Sequence, residues 1–222
     1  MVAKTPRLVL FSGLGISPRL LLPQTTVPAR VECPDWIAFD EHESLAQYSR
    51  RLAATIDPTG PLYIGGVSLG GMVALEAATV LRPRGVILIA ACRSGRSFSR
   101  LLKGTLRATT VTPLPVLEAM LHITPLLVRM VGKPDRRRRE FLLDLAKTSD
   151  VRMTRWGGNA MLNWTAPSCS CPVHHIHGNA DRLIPIENVH PDAVIPGGGH
   201  VINVTHATAV NAFILERMLS AA

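Results

Sequence analysis

The chain has 222 residues, 47% of them hydrophobic, with 24 Lys and Arg against 16 Asp and Glu for a net charge of +8. That length suits one domain with a real core, and that apolar content excludes a disordered chain. No apolar run of about 18 residues is present to span a membrane. The charge is unevenly placed: residues 93–165 hold 14 Lys and Arg and 5 Asp and Glu (+9), while the remainder holds 10 and 11 (−1).

Met1 to Pro6 leads straight into a strand-like run with no cleavage site, so a cytoplasmic location is the expectation. Cys33, Cys92, Cys169 and Cys171 form no C-x-x-C motif and read as reduced thiols.

In chain order, Arg7 to Ser12 reads as a first strand ending at Gly13-Leu14-Gly15. A dinucleotide loop is disfavoured there, because Pro18 replaces the third glycine and prolines interrupt the helix that should follow. A short helix is expected over Pro18 to Gln24, and the stretch Val31 to Phe39 is expected to contain a second strand, interrupted by Pro34. Ser44-Leu45-Ala46-Gln47 is a capping box opening a helix to about Ile56. Leu62 to Ile64 begins a buried strand, and Met72 to Leu81 reads as a helix apolar nearly all round. Gly85 to Cys92 is a continuous apolar run, which marks a strand of a parallel sheet covered on both faces.

From Arg93 to about Ala166 the strand signal gives way to short helical pieces, with apolar faces at Leu126 to Val131 and Phe141 to Leu145. Residues 93–166 read as a helical cap inserted into one core made of 1–92 and 167–222. Strands resume at Val173 to His177 and Ala193 to Pro196, and Ala207 to Leu219 closes the chain as a helix.

Gly66-Val67-Ser68-Leu69-Gly70 sits between a strand and a helix, where G-x-S-x-G denotes a nucleophile elbow. The spacing from Gly65 to Gly70 also suits a phosphate loop, but the lysine is missing, and no cofactor is called for. A serine nucleophile needs a base and an acid to orient that base, in the order acid then histidine at later strand ends. Asp181 and His200 stand there; Glu187 and Asp192 rank below Asp181 as the acid. An oxyanion hole requires two donors, for which the N–H groups of Leu69 and Leu14 are the candidates, with Gly13, Gly66 and Gly70 permitting close backbone approach.

These segments resemble the α/β-hydrolase family over nearly the whole chain. Ser12-Gly13-Leu14-Gly15 is similar to its oxyanion loop, with Ser12 in place of a histidine. Gly66 to Gly71 is similar to its elbow, His177 to Pro185 to its acid loop, and Gly198-Gly199-His200 to its histidine loop. The resemblance implies a Ser68–His200–Asp181 triad under a helical cap. The family's two leading antiparallel strands are missing, so a three-layer αβα sandwich with six parallel strands in the order 2-1-3-4-5-6 is expected.

The favoured reading is a hydrolase of carboxylic esters or thioesters, its small acyl substrate anionic if the basic cap faces the entrance. An acyltransferase, a cofactor-free lyase and a non-catalytic binding protein are the alternatives. His174, His175 and His177 suggest a metal, but no carboxylate pair completes a site, and they read as core or supporting residues. Arg136 to Arg139 lacks interleaved aromatics and reads as a solvated helix face, not a nucleic-acid site. Trp156 and Trp164 read as cap packing, with lining of the acyl pocket as the lesser alternative.

Overall fold

The computed structural model describes residues 6–122 and 134–220. Six strands, β1 (Arg7–Phe11), β2 (Arg30–Glu32), β3 (Leu62–Val67), β4 (Gly85–Ile89), β5 (Val173–Gly178) and β6 (Ala193–Ile195), form one sheet in the order β2-β1-β3-β4-β5-β6. Every pairing is parallel. Both the order and the direction are those expected from the sequence.

Alternation along the strands divides the core between the two faces. Val9, Phe11, Leu62, Ile64, Val86 and Leu88 point to the side covered by α1 (Leu45–Ala53) and α2 (Leu69–Leu81). Leu8, Leu10, Tyr63, Ile87 and Ile89 point to the other side, beneath the 3-10 helix Pro18–Thr26 and the two last helices of the chain. With both faces covered, β3 and β4 are buried at every residue. The capping box forms as read: Ser44 Oγ accepts from Gln47 N at 3.2 Å, and Gln47 Oε1 accepts from Ser44 N at 2.8 Å.

Three expected boundaries shift. The second strand, expected within Val31 to Phe39, is the short Arg30–Glu32, which begins one residue earlier and ends before Pro34. Pro34 offers no N–H to a ladder, and the stretch after it runs irregularly, with Trp36, Ile37 and Phe39 packed against the α1–α2 cluster. The helix expected over Pro18 to Gln24 is a 3-10 helix, with Pro23 inside it. The strand from Gly85 stops at Ile89, because Ala90 takes a φ of 45°.

Between β4 and β5 lie α3 (Arg100–Val111), α4 (Leu114–His122), α5 (Arg136–Lys147) and α6 (Val151–Leu162). Leu126 to Val131 lies outside the described residues. The segment is closed at its base, where Gly95 N donates to Trp164 O at 2.9 Å and Ala166 N to Arg93 O at 2.8 Å. Its helices divide between the two faces. Leu106 of α3 and Met153, Trp156 and Met161 of α6 join the α1–α2 cluster, whereas Leu142 and Leu145 of α5 join the opposite one. After β6 come α7 (Ile202–Thr205) and α8 (Ala207–Ser220). Among the described residues no helix is long and apolar enough to cross a membrane.

Candidate active site

Ser68 occupies the turn between β3 and α2 with φ 55° and ψ −116°. A non-glycine residue at positive φ is strained and persists only where its surroundings hold it. Here Ser68 N donates to Ile89 O at 3.1 Å, tying the turn to the end of β4. The flanking glycines are required by contact. A Cβ on Gly66 would lie 2.4 Å from Gly70 C, and one on Gly70 would lie 2.1 Å from Phe11 O and 2.4 Å from Ser12 O. The Ser68 side chain does not cap α2, so its hydroxyl is not committed to the helix.

The loop after β1 approaches the same edge. Ser12 is buried, and its hydroxyl donates to Ser17 O at 2.9 Å, while Ile16 N closes a turn onto Gly13 O at 3.1 Å. Gly15 takes φ 64°, and its carbonyl accepts from Asp150 N at 2.8 Å, just ahead of α6. That helix then crosses the loop: a Cβ on Gly157 would sit 2.6 Å from Leu14 Cδ1 and 3.4 Å from Leu69 Cδ2. Leu69 begins α2, where the first N–H groups of a helix have no partner within it. The N–H groups of Leu14 and Leu69 donate to no carbonyl outside the regular elements among the described residues.

Asp181 and His200 meet at the far side. Gly178, at the end of β5, packs so closely on the loop after β6 that a Cβ would fall 2.2 Å from Gly198 O. Ala180 N then donates to Gly198 O at 2.8 Å, which docks the acid loop on the histidine loop. His200 Nδ1 lies 2.7 Å from Asp181 Oδ2, and both residues are buried. Asp181 Oδ1 accepts from Leu183 N at 2.8 Å and Ile184 N at 3.0 Å. Burial alone would raise the pKa of this carboxyl. The adjacent His200, together with hydrogen bonds from His177, His200 and Ile184 N–H, outweighs burial and holds it well below the usual carboxylate range. An ionised carboxylate only accepts, so His200 carries its proton on Nδ1 and leaves Nε2 as the basic nitrogen.

Asp181 and His200 are therefore brought together, and Ser68 stands two strands away at the same edge of the sheet. Among the described residues Ser68 Oγ and His200 form no hydrogen bond. Asp192 is placed elsewhere, its carboxylate accepting from His175 N at 2.7 Å. Glu187 lies in the short 3-10 turn Ile186–Asn188.

Both tryptophans are held in packing. Trp156 stacks on Phe39 at 5.2 Å between centroids, touches Tyr48 at 4.7 Å, and donates from Nε1 to Glu43 O at 3.1 Å. Trp164 Nε1 donates to the buried Glu76 Oε1 at 2.7 Å. A broad open groove lined by Phe39, His42, Glu43, Gln47, Arg50 and Arg51 flanks α1 and includes none of the candidate site residues.

Sequence reasoning gave one neighbour of the site only a general core or supporting role. His177 is fully buried, with Nε2 2.8 Å from Ile184 O and 3.3 Å from Asp181 Oδ2. The available signal was its place four residues before the acid, at the end of the strand that carries the acid loop. Among the described residues no group of three or more His, Cys, Asp or Glu side chains is arranged to hold a metal ion.

A covered parallel sheet in the order 2-1-3-4-5-6, with a strained serine at a strand-to-helix turn and a carboxylate–histidine pair at later strand ends, defines a three-layer α/β protein. The chain belongs to the alpha/beta hydrolase family, whose pattern matches residues 8–213. The structure is similar to that of a thermophilic esterase from Thermogutta terrifontis, with a TM-score of 0.72 and 20% identity, over 97% of this chain and 90% of that one. It is also similar to the N-acyl homoserine lactonase AidH complexed with N-butanoyl homoserine, with a TM-score of 0.76 and 16% identity, over 100% and 91%. At these identities the likeness is one of fold. A provisionally named non-heme chloroperoxidase of Synechocystis sp. (strain ATCC 27184 / PCC 6803 / Kazusa) is 39% identical over 60 residues. That match spans 22% of this chain and 22% of the relative's length.

Proposed function

We propose that the chain is a serine hydrolase that cleaves a carboxylic ester or thioester through an acyl-enzyme on Ser68. The observation that carries this reading is the pairing of His200 Nδ1 with Asp181 Oδ2 at 2.7 Å, at the sheet edge where Ser68 is held at φ 55°. Esterase and lactonase neighbours of the same fold are consistent with it.

In this mechanism His200 Nε2 takes the Ser68 hydroxyl proton as Oγ attacks the acyl carbonyl. The contact between the two tightens on substrate binding, as catalytic hydrogen bonds commonly do. The N–H groups of Leu69 and Leu14 stabilise the negative oxygen of the tetrahedral intermediate. His200 then protonates the leaving alcohol or thiol, and water, activated by the same nitrogen, releases the acid and regenerates Ser68. Asp181 holds His200 in the tautomer that this exchange requires. Residues 93–166 act as a cap, with α6 setting the room above Leu14 and Leu69. Because the +9 balance lies within residues 93–165, the acyl substrate is an anionic one.

A panel of short- and medium-chain esters, thioesters and lactones tests the reading. Wild type is expected to release acid and alcohol or thiol in equal amounts on at least one class, with a loss of at least about 10³-fold in Ser68→Ala. Equal turnover by the two proteins would contradict it.

A further inference from the structure

Two imidazoles are buried behind the candidate acid. His175 and His177 alternate onto one face of β5, with ring centroids 5.1 Å apart and an interplanar angle of 87°. Burying polar rings in a sheet core is unfavourable unless each polar atom finds a partner, and aliphatic side chains would fill the same space without that cost. His177 Nε2 faces two groups that only accept, Ile184 O at 2.8 Å and Asp181 Oδ2 at 3.3 Å, so it carries a hydrogen. His177 Nδ1 then accepts from His175 Nε2, 3.1 Å away. Burial above all, with the nearby Arg93 acting in the same direction, pushes His175 down to about 3, which keeps it neutral over the working pH range.

The carboxylate of Asp181 is thereby approached by four polar groups. Oδ1 takes the N–H groups of Leu183 and Ile184, Oδ2 takes His200 Nδ1, and His177 Nε2, whose hydrogen bond goes to Ile184 O, lies 3.3 Å from the same Oδ2. The other ionisable groups nearby are turned elsewhere. The Cys92 thiol, pushed up to about 12 by burial, donates to Ser94 O at 3.2 Å, and Asp192 is held by His175 N.

We propose that His177 is a positioning residue for Asp181: its Nε2–H, aimed by His175, shares Oδ2 with His200, fixing the carboxylate's orientation and limiting the charge it directs at the base. The inference rests on the reading that His200 is the base and Asp181 its orienting acid. Removing the His177 donor leaves more negative charge on the one oxygen that faces His200. Protonation of the base then becomes easier, and the acid limb of kcat/KM moves to higher pH.

The test compares His177→Phe, which keeps a ring and loses the donor, with His177→Gln, whose amide nitrogen reaches the Nε2 position. Rates are normalised to active sites titrated with a fluorophosphonate. The Phe variant is expected to lose about tenfold in kcat and to move the acid limb up by about 0.5 to 1 pH unit, and the Gln variant to restore the limb. An unmoved limb in the Phe variant would overturn the proposal. Because that variant leaves Ile184 O and His175 Nε2 unpaired, a second readout uses the wild type: ¹⁵N-histidine spectra are expected to show His177 as the Nε2–H tautomer throughout the active pH range. The Nδ1–H tautomer would overturn the proposal whether or not the variants fold. Loss of activity in Asp181→Asn and Ser68→Ala alongside an unmoved limb in His177→Phe would locate the failure in the positioning role. Full activity in Asp181→Asn and Ser68→Ala would locate it in the underlying reading.

Discussion

Replacing Asp181 by asparagine exchanges one oxygen for an NH₂ group and has a direction that the geometry dictates. The Leu183 and Ile184 N–H groups donate to Oδ1 at 2.8 and 3.0 Å, so the asparagine must place its carbonyl oxygen there. The amide NH₂ then takes the place of Oδ2, 2.7 Å from His200 Nδ1 and 3.3 Å from His177 Nε2. A donor facing Nδ1 forces that nitrogen to accept, which moves the His200 hydrogen to Nε2 and removes the base. The expected loss in kcat is on the order of 10⁴, the scale of a serine hydrolase whose histidine is held in the wrong tautomer. The fold should lose less. His177 keeps its bond to Ile184 O at 2.8 Å, so the cost is one strained donor pair, about 1–3 kcal/mol. Ester turnover is measured beside urea denaturation. A fully folded Asp181→Asn protein with less than about a tenfold loss in kcat would refute the tautomer argument.

Three further outcomes follow from other parts of the structure. Gly70→Ala should be among the most damaging single-methyl changes in the chain, since its Cβ would meet the Phe11 and Ser12 carbonyls at 2.1 and 2.4 Å, backbone that cannot swing aside. A loss above about 3 kcal/mol, or insoluble protein, is expected in a denaturation assay, and a loss below about 1 kcal/mol would contradict the close approach. Stability should fall in acid through His175, whose pKa drops from 6.5 to about 3 on folding. Between those values the unfolded chain binds a proton that the folded chain refuses, so stability rises with pH across the window and is complete above 6.5. The full difference is about 5 kcal/mol, and the Asp181 contribution is lost in addition below about pH 4. Urea midpoints from pH 7.5 to 4.5 check this, and a flat series would contradict it. Finally, an anionic substrate predicts that raising salt from about 20 to 300 mM lowers kcat/KM for a charged ester more than for its neutral analogue, and equal responses would remove that part of the reading.

The elements that could be read from the chain are those whose signal is local. An apolar run followed by Gly66-Val67-Ser68-Leu69-Gly70 can only turn sharply, and the structure turns it, with Ser68 at positive φ. Continuous apolar strands, each returning through a helix, define a parallel sheet whatever their partners, whereas the order 2-1-3-4-5-6 came from the resemblance to the family and not from that repetition. What was hidden depends on distant contacts. Trp156 is placed by Glu43 and Phe39, more than 110 residues earlier, and Trp164 by Glu76. No periodicity within residues 93–166 encodes those partners. The early end of β2 follows from Pro34, whose missing N–H outweighed the favourable apolar residues around it. His177 was visible as a residue but not as a donor, because that role exists only once the acid loop folds back over the end of β5.

Labelling of the intact protein by a fluorophosphonate, read by mass spectrometry, bears most directly on the central claim that Ser68 is a nucleophile activated by His200. Wild type is expected to gain one adduct, located on the peptide containing Ser68. Ser68→Ala should gain none, and His200→Ala should react at least about 10³ times more slowly. Equal labelling of wild type and Ser68→Ala, or an adduct at any other residue, would contradict the account.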